Sequence, residues 1–182
     1  MVDKFAIFLD FDDVLIEPAN QNRPVQLKSA YWSRENFVFN STSVNAVYEL
    51  IYHLRDADLS PVIVLSTSWI KYATRKVLNE VLSRHFPQTV IYPELTFSCK
   101  PVVPTRRDRI NTWLLEYSDQ LATPQSYFVL DDTNSGTGLI DHRNPTAAGE
   151  LDSRTLLVNY TNPGLRFLTS DHIALIKTQL TI

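Results

Sequence analysis

The chain has 182 residues, 44% of them apolar, with a formal net charge of −3. That length fits one domain with a sizeable core, and the charge excludes a global basic field that would hold nucleic acid nonspecifically. A single cysteine, Cys99, excludes an internal disulfide and argues against a Cys-based zinc site.

In chain order, residues 5–10 alternate little and predict a central strand buried on both faces of a parallel sheet. The strand runs into three carboxylates, Asp10, Asp12 and Asp13. Residues 13–40 are polar, aromatic and irregular, and read as a flap above the strand end. Asn40 is a candidate N-cap for a helix with Val44, Val47, Leu50, Ile51 and Leu54 at helical spacing. Residues 61–66 form a second apolar run, ending at Ser66. A helix is expected from Ile70 to Phe86, then a short strand at 90–92. Thr105 is the expected cap of a helix carrying Ile110, Trp113, Leu114 and Tyr117. Residues 125–130 predict a fourth strand that meets Asp131 and Asp132, and residues 155–159 a fifth. Ser170 is the expected cap of a final helix. Residues 134–154 read as a long loop able to contact substrate.

Strands alternating with helices predict an α/β fold with helices on both faces of a parallel sheet. In such sheets the ligand site lies at the carboxyl ends of the strands. Asp10, Asp12, Ser66, Asp131 and Asp132 all fall at such ends. Carboxylates crowded into one crevice repel by several kcal/mol unless neutralised. A divalent cation neutralises them most simply, and oxygen ligands suit Mg²⁺.

The residue types then suggest roles. Asp10 can attack phosphorus directly and form an acyl phosphate. Asp12 can protonate the leaving oxygen and later activate water. Asp131 completes the metal site, and Asp132 binds through water or supports the other ligands. Ser66 and Thr67 can donate to phosphate oxygens, helped by N–H groups of the helix expected at Ile70. Lys100, Arg106, Arg107 and Arg109 compete to supply the balancing cation, with Arg106 or Arg107 favoured. His53, His85, His142 and His172 lack metal-ligand spacing.

These residues resemble the haloacid dehalogenase (HAD) superfamily. Residues 9–15, Leu-Asp-Phe-Asp-Asp-Val-Leu, look like its first motif, and the strand ending at Ser66 looks like the second. The Arg106/Arg107 region resembles the third, and Leu130-Asp131-Asp132 the fourth in its double-Asp form. The fuller pattern is similar to a subgroup of small, capless HAD proteins that includes HAD domains of RNA-repair proteins. The resemblance implies a three-layer Rossmann-like fold over residues 1–182, with five parallel strands in the order 3-2-1-4-5 and no large cap. It implies a phosphatase with Asp10 as nucleophile and Asp12 as acid/base. Ser66 and Arg106, or Arg107, would bind phosphate. Mg²⁺ would sit on Asp10, the Asp12 backbone carbonyl and Asp131. Asp13 departs from the pattern, standing where Gly is usual.

The expected substrate is therefore a phosphate monoester, on a small molecule or a polymer end. A nucleic-acid end-processing phosphatase is one alternative, using a local basic patch of Lys100 to Arg109 with Lys71, Arg75 and Lys76. A non-catalytic phosphate-binding module is another. With no signal peptide and no apolar run of ~18–20 residues, the expected location is the cytoplasm.

Overall fold

The computed structural model describes residues 3–16, 38–67, 73–87, 89–92, 105–136, 138–140, 144–146, 149–159 and 167–180. A single sheet of seven strands organises them: β1 (Lys4–Leu9), β2 (Ser60–Leu65), β3 (Val90–Tyr92), β4 (Tyr127–Asp132), β5 (Asn144–Thr146), β6 (Gly149–Leu151) and β7 (Thr155–Val158). Their spatial order is β3-β2-β1-β4-β7-β6-β5. The first five in that order pair in parallel, which is the expected 3-2-1-4-5 arrangement, since β7 is the fifth strand read from the sequence. The addition is an antiparallel hairpin, β5–β6, that extends the β7 edge. It occupies part of the stretch expected to be loop.

Strand alternation divides the core. Phe5, Ile7 and Leu9 of β1 face one layer, where they join residues of helices α1 (Ser41–Asp56), α2 (Arg75–His85) and α4 (Ser170–Gln179). Ala6 and Phe8 face the other, beneath Ile110 and Trp113 of α3 (Arg106–Tyr117). Phe8 meets Trp113 edge-on at 5.3 Å between centroids. Helices thus cover both faces, as the two-sided burial of β1 requires. Among the described residues, no helix is long and apolar enough to cross a membrane.

Helix starts follow local capping chemistry. The Asn40 side chain accepts from the N–H groups of Thr42 and Ser43, so α1 begins where the sequence suggests. Thr105 and Asp108 form a reciprocal capping box on α3. α2 is a correction: Thr74 caps it by accepting from the Val77 N–H, so it starts at Arg75 rather than Ile70. α4 is another, because Thr169 rather than Ser170 occupies the cap, paired with His172. Of the expected flap, residues 17–37 lie outside the described residues. Its near end, Ile16, bridges to both Asp12 and Phe39.

The hairpin depends on Gly149. A Cβ there would stand 2.0 Å from the Leu157 carbonyl oxygen. Gly149→Ala is expected to lower stability by about 1–3 kcal/mol, read as a lower urea midpoint with an unchanged slope.

Candidate active site

Strand register builds the site. Leu9 pairs with Leu65 on one side and with Leu130 on the other. The next residues along, Asp10, Ser66 and Asp131, therefore stand side by side on three neighbouring strands. The Asp10 N–H donates to the Leu130 carbonyl at 3.0 Å, and the Ser66 N–H to the Leu9 carbonyl at 3.0 Å. Alternation turns all three side chains toward the α3 layer, since Phe8, Val64 and Val129 two residues earlier lie in that layer. The start of α3 delivers Arg106 to the same place.

One guanidinium nitrogen, Arg106 Nη1, lies 3.3 Å from Asp10 Oδ2 and also donates to Asp131 Oδ2. Asp10, Asp131 and Asp132 are all buried, each offering an oxygen within 4.8 Å of the others'. Burial and the neighbouring Asp131 carboxylate push the Asp10 pKa well above the ordinary value, against the opposing pull of Arg106. Burial likewise raises Asp131. Burial alone would lower Arg106, but Asp10 and Asp131 more than offset it and raise its pKa. One cation facing this many carboxylates leaves excess negative charge. Buried, oxygen-only and acidic, the donor set fits a hard divalent cation such as Mg²⁺.

The other expected residues are placed as follows. Ser66 and Thr67 are buried, and Ser66 Oγ has no hydrogen-bond partner among the described residues. A buried hydroxyl without a partner costs about 1–3 kcal/mol, so this atom suits a ligand oxygen. Asp12 is half-buried, and its side chain is not in the group formed by Asp10, Asp131 and Asp132. Of the competing cations, Arg106 touches the carboxylates. Arg107 lines a groove beside α3. Arg109 is half-buried, its pKa lowered by burial and by Arg106. Lys71, Lys100 and the region of Ile70 lie outside the described residues.

Ser135 is absent from the sequence reading, yet it is a hub. Its Oγ lies 2.8 Å from Asp131 Oδ1 and 3.4 Å from Asp10 Oδ2, also meets Asp132, and accepts from Arg106 at 3.3 Å, so its single proton serves one carboxylate at a time. A turn brings it there: Asp132 Oδ1 accepts the N–H groups of Asn134 at 2.6 Å and Ser135 at 3.0 Å. The legible signal was an Asp followed three residues later by Ser at a strand end, the pattern of an Asx turn. Gly136 closes the turn against the sheet, where a Cβ would meet Leu157 Cδ2 at 2.5 Å and the Asp132 carbonyl at 2.8 Å.

Asp13 has φ 60°, in the left-handed region. Its N–H donates to the Ile16 carbonyl at 3.1 Å, which closes the loop after Asp12. Gly suits that backbone, and Asp tolerates it better than most residues. Asp13→Val is expected to cost about 1–2 kcal/mol, while Asp13→Gly does not; denaturation midpoints of the two variants check this.

A family model for the HAD domain in Swiss Army Knife RNA repair proteins matches residues 6–159. Neither a curated protein nor a solved structure matches the chain.

Proposed function

The chain belongs to the family of HAD domains in Swiss Army Knife RNA repair proteins, and from that premise we propose that it is a Mg²⁺-dependent phosphohydrolase working through an aspartyl-phosphate on Asp10. The observation that carries the proposal is the buried Asp10 carboxylate, flanked by Asp131 and Asp132, with Arg106 3.3 Å away.

Asp10, Asp131 and Asp132 would hold the cation, with the Asp12 backbone carbonyl as the further ligand the family resemblance implies. Bound Mg²⁺ supplies charge compensation for the carboxylates and the incoming phosphoryl group. An Asp10 oxygen attacks phosphorus, and the bond from phosphorus to the ester oxygen breaks. Asp12 gives its proton to that leaving oxygen. Asp12 then takes a proton from water, whose oxygen attacks the phosphorus of the acyl phosphate. Inorganic phosphate leaves and the Asp10 carboxylate is restored. Arg106 and the Ser66 hydroxyl hold the equatorial phosphate oxygens, with Thr67 beside them. Ser135 supports the buried carboxylates, its one hydroxyl proton going to one of them at a time.

The family's association with RNA repair favours a phosphorylated polynucleotide end over a small phosphate ester. A phosphate-release screen with and without Mg²⁺ tests this, covering nucleotides, sugar phosphates, phosphopeptides and oligonucleotide ends. Metal-dependent release, strongest from oligonucleotide ends, is expected. Binding of Mg²⁺ and phosphate analogues without release from any substrate would leave a non-catalytic module instead.

A further inference from the structure

We propose that the groove beside α3 seats the nucleotide adjoining the reacting end of a single-stranded polynucleotide, with Arg154 and Arg107 on its internucleotide phosphate. This rests on the phosphohydrolase reading and adds where the rest of the strand lies.

The groove encloses about 260 Å³ between α3, the faces of β4 and β7, and the turn before β7. That lies just below the roughly 300–1,000 Å³ of small-ligand pockets, room for part of a nucleotide such as its phosphate and sugar. Its walls are lined by Arg107 and Arg154, by Asn111 and Ser153, and by Tyr127. Guanidinium groups match phosphate oxygens in pairs. An aromatic ring offers a stacking surface to a base, and amide and hydroxyl groups can meet base edges or ribose hydroxyls. Asp152 also lines the groove, but one of its oxygens accepts the Arg154 backbone N–H at 2.8 Å, turned to the loop itself.

The groove also adjoins the reacting centre along two stretches of chain. On α3, Arg106 at the carboxylates is followed directly by Arg107 in the groove. After β4, the turn that holds Ser135 leads to Leu139 in the groove wall, whose N–H donates to the Gly136 carbonyl at 2.9 Å. A strand with its terminal phosphate at Asp10 can therefore pass its next nucleotide into the groove. A chain of net charge −3 has no diffuse attraction for nucleic acid. Local guanidinium contacts of this kind are then what strand binding requires.

The test compares wild type, Arg154→Ala and Arg154→Glu. Phosphate release is followed from p-nitrophenyl phosphate and from phosphorylated mono-, di- and tetranucleotides, in RNA and DNA forms. Anisotropy with a fluorescent phosphorylated tetranucleotide reads binding without turnover. Arg154 stands one residue before Thr155, which pairs with Val129 on the amino side of Asp131, and its backbone carbonyl keeps its bond to the Val129 N–H in either variant. Arg154→Ala is expected to raise KM and the dissociation constant for the tetranucleotide about tenfold, and Arg154→Glu further. The slope of log affinity against log salt should fall by about one. The mononucleotide and p-nitrophenyl phosphate should be unaffected. Unchanged tetranucleotide binding in both variants would overturn the groove assignment while leaving the phosphohydrolase reading intact. Equal losses on p-nitrophenyl phosphate and tetranucleotide would overturn it too. If no substrate is turned over, the phosphohydrolase reading fails, and the anisotropy comparison still decides the groove.

Discussion

Asp10→Asn is expected to cut phosphate release by at least about a thousandfold, or about 4 kcal/mol of transition-state stabilisation. The same change should make the metal-free protein more stable at neutral pH. The amide is isosteric but cannot form the acyl phosphate, so turnover goes. Stability moves the other way because Asp10 is a buried carboxylate whose folded-state pKa lies above its unfolded value, through burial first and Asp131 second. The folded state holds that proton more tightly than the unfolded chain. The stability that Asp10 contributes without metal is therefore fully present only below the unfolded carboxylate value of about 4. It declines as pH climbs through the raised folded value. The Asn variant loses the Asp10 part of that decline and keeps the smaller part due to Asp131. Added Mg²⁺ should raise the wild-type melting temperature more than the variant's. Phosphate assays and melting curves from pH 4 to 8, with and without Mg²⁺, check both halves. Retained turnover in the variant would end the nucleophile assignment.

Arg106→Ala is expected to destabilise the metal-free protein by about 3–5 kcal/mol, the usual cost of stripping one partner from a buried ion pair. Here Nη1 alone serves both Asp10 and Asp131, so its loss leaves two buried carboxylates without their cation. Helix energetics point the opposite way. Arg106 is the first residue of α3, where a positive charge opposes the macrodipole. Alanine there should help the helix by a few tenths of a kcal/mol. A net loss must therefore come from the carboxylates. Two controls sharpen the reading. Arg106→Lys keeps a charge at the site and should recover most of the stability. Mg²⁺ should rescue much of the Arg106→Ala loss, because it meets the same demand for positive charge. Activity should still fall about 10²–10³-fold, since a phosphate-binding donor is gone. Denaturant unfolding with and without Mg²⁺ measures the first effect, and equal metal-free stability of wild type and Arg106→Ala would refute it.

The sequence made the frame legible because apolar runs that end in acids carry two messages at once. Uninterrupted burial of β1 demands cover on both faces, and the acids after β1 and β4 mark the carboxyl ends of adjacent strands. Register did the rest, as Leu9 pairing with both Leu65 and Leu130 shows. What was not legible depends on side-chain reach or on weak local signals. Four basic residues within ten positions look alike in one dimension, and only the α3 cap at Thr105 fixes Arg106 over the carboxylates. Ser135 acts through a turn that folds it back onto Asp132, three residues earlier, and an Asp with a Ser at that spacing is a weak signal by itself. The β5–β6 hairpin has strands of three residues each, too short for alternation to register. The α2 start was misplaced because apolar spacing continues upstream of Thr74, and the cap, not the spacing, ends the helix.

The two rims of the sheet share a property that bears on how the protein behaves in a crowded cell. Among the described residues the outermost strands, β3 and β5, are three residues long, and β5 contains Pro145, which has no amide hydrogen to offer. A stray extended segment finds almost no ladder to extend at either rim. The four-residue β7, which would otherwise form that border, is sealed by the hairpin. Lengthening β5 by a few β-branched residues should raise the tendency to fibrous self-assembly.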